Sequence, residues 1–198
     1  MKEIVHPIFY NAPIGIRFEI GGNKDVYLDH KPHTINPKYV AEAMNRAKAI
    51  YTHLSCPPDV LRIDGYPNER ISAQGIAACI CETVGMPQPH EKILTKYRWT
   101  EEDEEISQLQ LYWNIKNMDF FPDKILQEII RADIGGYSEL VSNVYFADTY
   151  NSVLFHMYDD RGADLVAANQ EDIKPLFEQY SSWILEYDRE KINQIFVK

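Results

Sequence analysis

The sequence predicts an α+β fold: a mixed or largely antiparallel sheet that includes a C-terminal three-strand meander, covered by helices. Three observations predict it. Short apolar stretches with period-two alternation occur near the start, in the middle and in the last third of the chain. Longer stretches with helical periodicity lie between them. The last three alternating stretches, "SNVYFAD", "SVLFHMY" and "ADLVAAN", are joined only by turns, as in a meander. The chain has 198 residues, 45% of them apolar and 25% charged, which is ordinary globular composition. No repeat, low-complexity tract or linker divides it, so one domain over residues 1–198 is expected.

Each element has its own local reason. In "PIGIRFEI", Ile14, Ile16, Phe18 and Ile20 share one side and Arg17 and Glu19 the other, the pattern of a half-buried strand. Gly21-Gly22-Asn23 is a turn, after which "DVYL" is expected to return as a short strand. Asn36 and Pro37 open the clearest helix, as cap and first residue. Its apolar stripe is Val40, Ala43, Met44, Ala47, Ile50, Tyr51 and Leu54, and Pro57-Pro58 forbids continuation. "DVLRIDGY" is a strand and "ISAQGIAACICETVG" a small-residue helix ending at Gly85. "EKILTKYRW" and "QLQLYWNI" are strands, and "TEEDEE" between them is a solvated connection, readable as a helical turn capped by Thr100. "FPDKILQEIIRADIGG" is a helix started by Pro122, lined by Ile125, Ile129 and Ala132 and stopped by Gly135. Residues 170–196 are helical, with Ile173, Leu176, Phe177, Tyr180, Ile184 and Tyr187 on one face and Asp188 capping a fresh short helix carrying Ile192 and Ile195.

Net charge is −10. Such a surface repels phosphate, so nucleic acid is not an expected partner, while a basic protein is. Cys56, Cys79 and Cys81 fit neither a disulfide framework nor a C-x-x-C zinc site, and all three are expected to be reduced, mostly buried thiols. The start "MKEIVHPIFYNAP" has no signal-peptide pattern and no stretch has the length of a membrane span. A cytoplasmic location without membrane contact is the expectation.

The stretch "YDDRGADLVAAN" carries the densest chemistry. Asp159 can accept hydrogen bonds from amides two or three residues on, and Gly162 can take a positive φ, so both are explained by a hairpin turn. A turn does not need Arg161 or Asp164. They can pair with each other, or Arg161 can grip a carboxylate elsewhere. With Tyr158, Asp159 and Asp160 they form the candidate binding site, and with Tyr158, Asp160 and His156 the candidate reactive cluster. Two acids in one turn supply no third metal ligand. His156 itself reads as a satisfied, semi-buried histidine, and His30, His33, His53 and His90 have no metal-site spacing. No nucleophile elbow, phosphate loop or dinucleotide fingerprint occurs, so no cofactor, metal or catalytic residue is assigned.

"IFYNAPIGIRFEIG", "YDDRGADLVAAN" and "IKPLFEQYSSWILEYDREKINQIF", in this order, resemble a bacterial family known as domain of unknown function 3885. The resemblance implies a small bacterial cytosolic domain and supplies no activity. Members often carry cysteine or methionine where this chain has Ala163, which argues against a thiol role there. Two functions follow as expectations. One is a non-enzymatic protein-binding module, such as an immunity protein that neutralises a basic toxin, with tyrosines and tryptophans as interface anchors. The alternative is a small hydrolase-like enzyme using the carboxylate–arginine cluster of the hairpin. Trp99, Trp113 and Trp183 are read first as core residues.

Overall fold

In the computed structural model, residues 4–29, 34–99, 104–134 and 143–197 are described, without the side chains of 97–99 and 104–105. In chain order the regular elements are α1 (Ile8–Asn11), β1 (Gly15–Glu19), α2 (Pro37–Thr52), β2 (Val60–Gly65), α3 (Ala73–Val84), β3 (Glu91–Trp99) and β4 (Glu104–Asn114). They continue with α4 (Asp123–Asp133), β5 (Asn143–Asp148), β6 (Val153–Met157), β7 (Gly162–Ala167), α5 (Lys174–Gln179) and α6 (Arg189–Phe196). The strands form one seven-stranded sheet in the order β1-β7-β6-β5-β2-β4-β3, with every pairing antiparallel. The expected meander is present as β5-β6-β7.

Alternation within each strand separates two faces of the sheet. Ile16, Phe18, Leu61, Ile63, Leu111, Trp113, Val144, Phe146, Phe155, Met157, Ala163 and Leu165 share the inner face. They lie in one buried cluster with Ala43, Ala47 and Ile50 of α2, Ile76, Ala77 and Ile80 of α3, and Ile125, Leu126, Ile129 and Ile130 of α4. The helix ends follow the local rules. The Asn36 side chain accepts from the Lys38 amide with Pro37 at the first position, and Ser72 caps α3 by accepting from the Gly75 amide. Gly85, at φ 70°, ends α3 in the left-handed conformation that a residue without Cβ adopts freely.

Several expectations are corrected. "DVYL" forms no strand; Tyr27 makes a single bridge with Ile35. Glu104 and Glu105 belong to β4 rather than to a helical turn, because β3 supplies partners that far along the ladder; Thr100 to Asp103 lie outside the described residues. Ala132 is only half-buried, and the buried face of α4 instead takes Leu126 and Ile130; Gly135 lies outside the described residues. Residues 170–187 hold only the short α5 between tight turns rather than a helix throughout, whereas the fresh helix expected after Asp188 is present as α6. The backbone spends residues 184–185 closing the edge of β1, with Ile184 bridged to Phe18 and the Leu185 amide donating to the Arg17 carbonyl. Tyr187 consequently points outward, 86% exposed. Cys56 is exposed and only Cys81 is buried; all three thiols are free. Trp113 is buried and Trp183 half-buried; the Trp99 side chain lies outside the described residues. No described helix is long and apolar enough to cross a membrane.

Candidate functional site

The hairpin between β6 and β7 forms as its residue types require. Asp159 Oδ1 accepts from the amides of Arg161 and Gly162, both at 2.8 Å, and Asp159 Oδ2 holds the Arg161 guanidinium at 2.7 Å. Gly162 has a different reason from the one expected. Its φ is not positive. A Cβ at this position would instead run into the Tyr158 hydroxyl and ring, so glycine makes room for a tyrosine folded back over the strand.

The five candidate residues do not gather in one place. Arg161 does not pair with Asp164; it stays exposed at the tip, bonded to Asp159 and 3.8 Å from Asp133 at the end of α4. Asp164 lies on the outer face of the sheet, where it pairs with Arg17 at 2.9 Å and accepts from the Phe9 amide. Asp160 points the other way. It is 1% exposed, and one of its oxygens accepts from the buried Tyr39 hydroxyl of α2. Tyr158 lies near Arg17, whose guanidinium carbon is 5.8 Å from the ring centroid. Burial, aided by Asp164, raises the Tyr158 hydroxyl well above its ordinary pKa.

Asp164 belongs to a larger array. The antiparallel register places Arg17, Asp164, His156, Tyr145, Arg62, Tyr112 and Glu91 opposite one another, one from each strand, in a row across the whole outer face. The His156 and Tyr145 rings stack at 4.6 Å, and Arg62 sits 5.3 Å from the Tyr145 ring. Arg62 forks onto Asp64 with two contacts of 2.7 Å. Burial pushes the Asp64 carboxyl up, while the Arg62 fork pulls it down. His6 joins the row from the chain start, 2.7 Å from the Tyr145 hydroxyl. His156 Nδ1 donates to the Val144 carbonyl, and burial drives its pKa down to about 4, so it is neutral near pH 7. Asp164, His156, Tyr145, Arg62 and Asp64 are buried and stacked on or bonded to neighbouring groups, whereas Arg17 and Tyr112 are half-buried and Glu91 is exposed. Asp188 contributes as well. It stands at the start of α6 as expected, but its side chain makes no cap; it binds Arg17 at 3.2 Å and Tyr10 at 2.8 Å.

Two further features open to solvent. Carboxylate oxygens of Asp133, Asp159 and Asp160 come within 4.8 Å of one another at the hairpin tip. At the far end of the same strands, a groove of about 570 Å³ runs between the chain start and the sheet, lined by Ile4, Val5, Ile8, Ala12, Leu154 and Val166 among others. Val5 and, on the neighbouring β5–β6 turn, Tyr150 are 56% and 93% exposed.

The comparisons with known proteins bear on the same residues. The pattern of the family described as "Domain of unknown function (DUF3885)" matches residues 1–188, which takes in the whole sheet and the hairpin. The chain belongs to the DUF3885 family. The "Uncharacterized protein YnaE" of Bacillus subtilis (strain 168) is 40% identical over 57 residues, 29% of this chain; the match spans only 27% of that relative's length. No solved structure matches the chain.

Within this DUF3885 chain, Ala163 is fully buried on the inner face, so its place is a packing position. Sequence reasoning missed His6, Tyr39, Arg62, Asp133 and Asp188 as partners of the hairpin and the row. Arg62 and Asp64 had a local signal: two charges at alternate positions of an otherwise apolar strand, as at Arg17. Asp133 had none, since the end of a helix is an ordinary place for an aspartate.

Proposed function

We propose that this DUF3885 protein is a non-enzymatic, cytoplasmic protein-binding module whose partner is a basic protein, the relation an immunity protein has to the toxin it neutralises. The observation that carries the reading is the apolar groove beside the chain start, lined in part by the exposed Val5 and reaching the β5–β6 turn that carries the exposed Tyr150, which the fold leaves uncovered among the described residues. An exposed tyrosine on the turn that borders an apolar trough is a good anchor, because it buries a large area with few rotamers to lose. The net charge of −10 supports a cationic partner and predicts association that weakens with salt. The hydrolase alternative requires the hairpin groups around one space, whereas Asp160 and Asp164 lie on opposite faces of the sheet.

Affinity capture with the tagged chain in its native host, followed by titration of each purified captured protein, tests the proposal. Expected is a basic protein binding one-to-one, about tenfold or more weaker with Tyr150→Asp or Val5→Asp and weaker again in high salt. Both substitutions are at exposed positions, so unchanged melting temperatures confirm that the variants are folded. Only acidic partners, or affinities indifferent to salt and to both substitutions, defeat the proposal.

A further inference from the structure

The tip of the β6–β7 hairpin brings three carboxylates within 4.8 Å of one another beside a single guanidinium. Asp160 is 1% exposed; one oxygen takes the Tyr39 hydroxyl, and Oδ1 is buried with no hydrogen-bond partner among the described residues. A buried carboxylate oxygen left without a partner is strongly unfavourable. Its neighbour on the α4 side is Asp133, another carboxylate, close enough for a hydrogen bond if a proton lay between them. Asp159 completes the group, clamped in place by the two tip amides and the Arg161 guanidinium. Either a proton or a metal cation can reconcile two facing acceptors.

Charge decides between them. The groups facing this point are Asp133 from α4, Asp159, Asp160 and Arg161 from the hairpin, and the neutral hydroxyl of Tyr39 from α2. Three carboxylates and one guanidinium leave two negative charges. A single shared proton neutralises one of them; a divalent cation neutralises both. Asp133 is the last residue of the eleven-residue α4, where the helix dipole adds further negative potential. All the available ligand atoms are carboxylate oxygens, the preference of hard cations, and the partly exposed Asp133 and Asp159 leave room for water as the remaining ligands. We propose that Asp133, Asp159 and Asp160 form a binding site for a hard divalent cation of the calcium and magnesium class, pinning the end of α4 to the β6–β7 hairpin.

The test is thermal unfolding of the metal-stripped full chain at about pH 7.5, with calcium, magnesium or manganese chloride raised separately to about 10 mM. Potassium chloride of matched ionic strength is the control. Expected is a saturable rise in melting temperature with at least one cation, roughly 5 °C at a hundredfold excess over Kd, matched by a calorimetric binding isotherm. Asp133→Asn and Asp160→Asn should each abolish both signals. Asp133 is half-exposed at a helix end, so its variant remains informative even if replacing the buried Asp160 prevents folding. No response to any of the three cations overturns the proposal and leaves the carboxylates sharing a proton. An undiminished response in Asp133→Asn overturns it equally.

Discussion

Asp160 and Asp164 sit four residues apart on one hairpin and live in opposite electrostatic settings. Asp164 faces outward from the sheet into an arginine and a backbone amide. Asp160 faces α2 and α4, where it meets a tyrosine hydroxyl and another carboxylate. The first is a completed ion pair whose removal leaves the Arg17 guanidinium with Asp188 as its carboxylate partner and the Phe9 amide without its acceptor. The second is an acid under pressure, with burial and then Asp133 pushing its pKa up to about 7. The difference teaches that density of charge in a sequence says little about role; the sign of what lies opposite decides it.

The largest way to break this contrast is Asp164→Ala. The side chains of Arg17 and Asp164 are only 15% and 4% exposed, and because Asp188 still holds the guanidinium, removing Asp164 should cost about 3 kcal/mol, the lower end for breaking a buried pair. Urea unfolding should show that loss, and the double replacement Arg17→Met, Asp164→Leu should recover much of it. A loss near zero in the single variant would mean that the row is not a stabilising unit.

The next effect depends on pH and has opposite signs on the two sides. Asp160 is raised from 3.8 to about 7 in the fold, so its contribution is full below pH 3.8 and is lost as pH rises through 7. His156 is lowered from 6.5 to about 4, so its contribution is full above pH 6.5 and is lost as pH falls through 4. In metal-free buffer, Asp160→Asn should therefore be more stable than the parent on the alkaline side, with the gap closing towards acid. Replacement of His156 should flatten the acid limb instead. Unfolding curves across that range, with identical slopes for parent and Asp160→Asn, would remove the distinction.

Smaller effects sharpen the picture at the tip. Gly162→Ala should cost about 1 kcal/mol, because its new methyl displaces Tyr158 rather than straining the backbone. In a Tyr158→Ala background that cost should vanish; if it persists, the backbone and not the ring is the reason for glycine. Arg161→Ala should change stability by less than about 0.5 kcal/mol, since the guanidinium is 71% exposed. A large loss in the melting temperature of Arg161→Ala would instead make the tip a structural keystone.

Much of the fold could be read from local signals. The cap at Asn36, the stop at Gly85, the alternation of "GIRFE" and the turn at Asp159 all act within a few residues, and all appear in the structure. The candidate site was readable only in part. Tyr158, Asp159, Asp160, Arg161 and Asp164 are adjacent in the chain, but their partners are not: Arg17 is 147 residues from Asp164, and Tyr39 is 121 from Asp160. The broken C-terminal segment was hidden for the same reason. Its apolar spacing suits a helix, yet Ile184 and Leu185 are drawn into an extended pairing with β1.

The sequence by itself determined which side chains of each strand share a face, because the pleat alternates every residue whatever lies beside it. It also determined where α2 starts, at Asn36 and Pro37, and where α3 stops, at Gly85. Tertiary structure alone decided that the polar positions of seven strands fall into one row, and that α4 ends against the β6–β7 tip. Register and helix docking are set by packing the whole apolar core at once, and a one-residue slip in any strand would move its polar position to the other face.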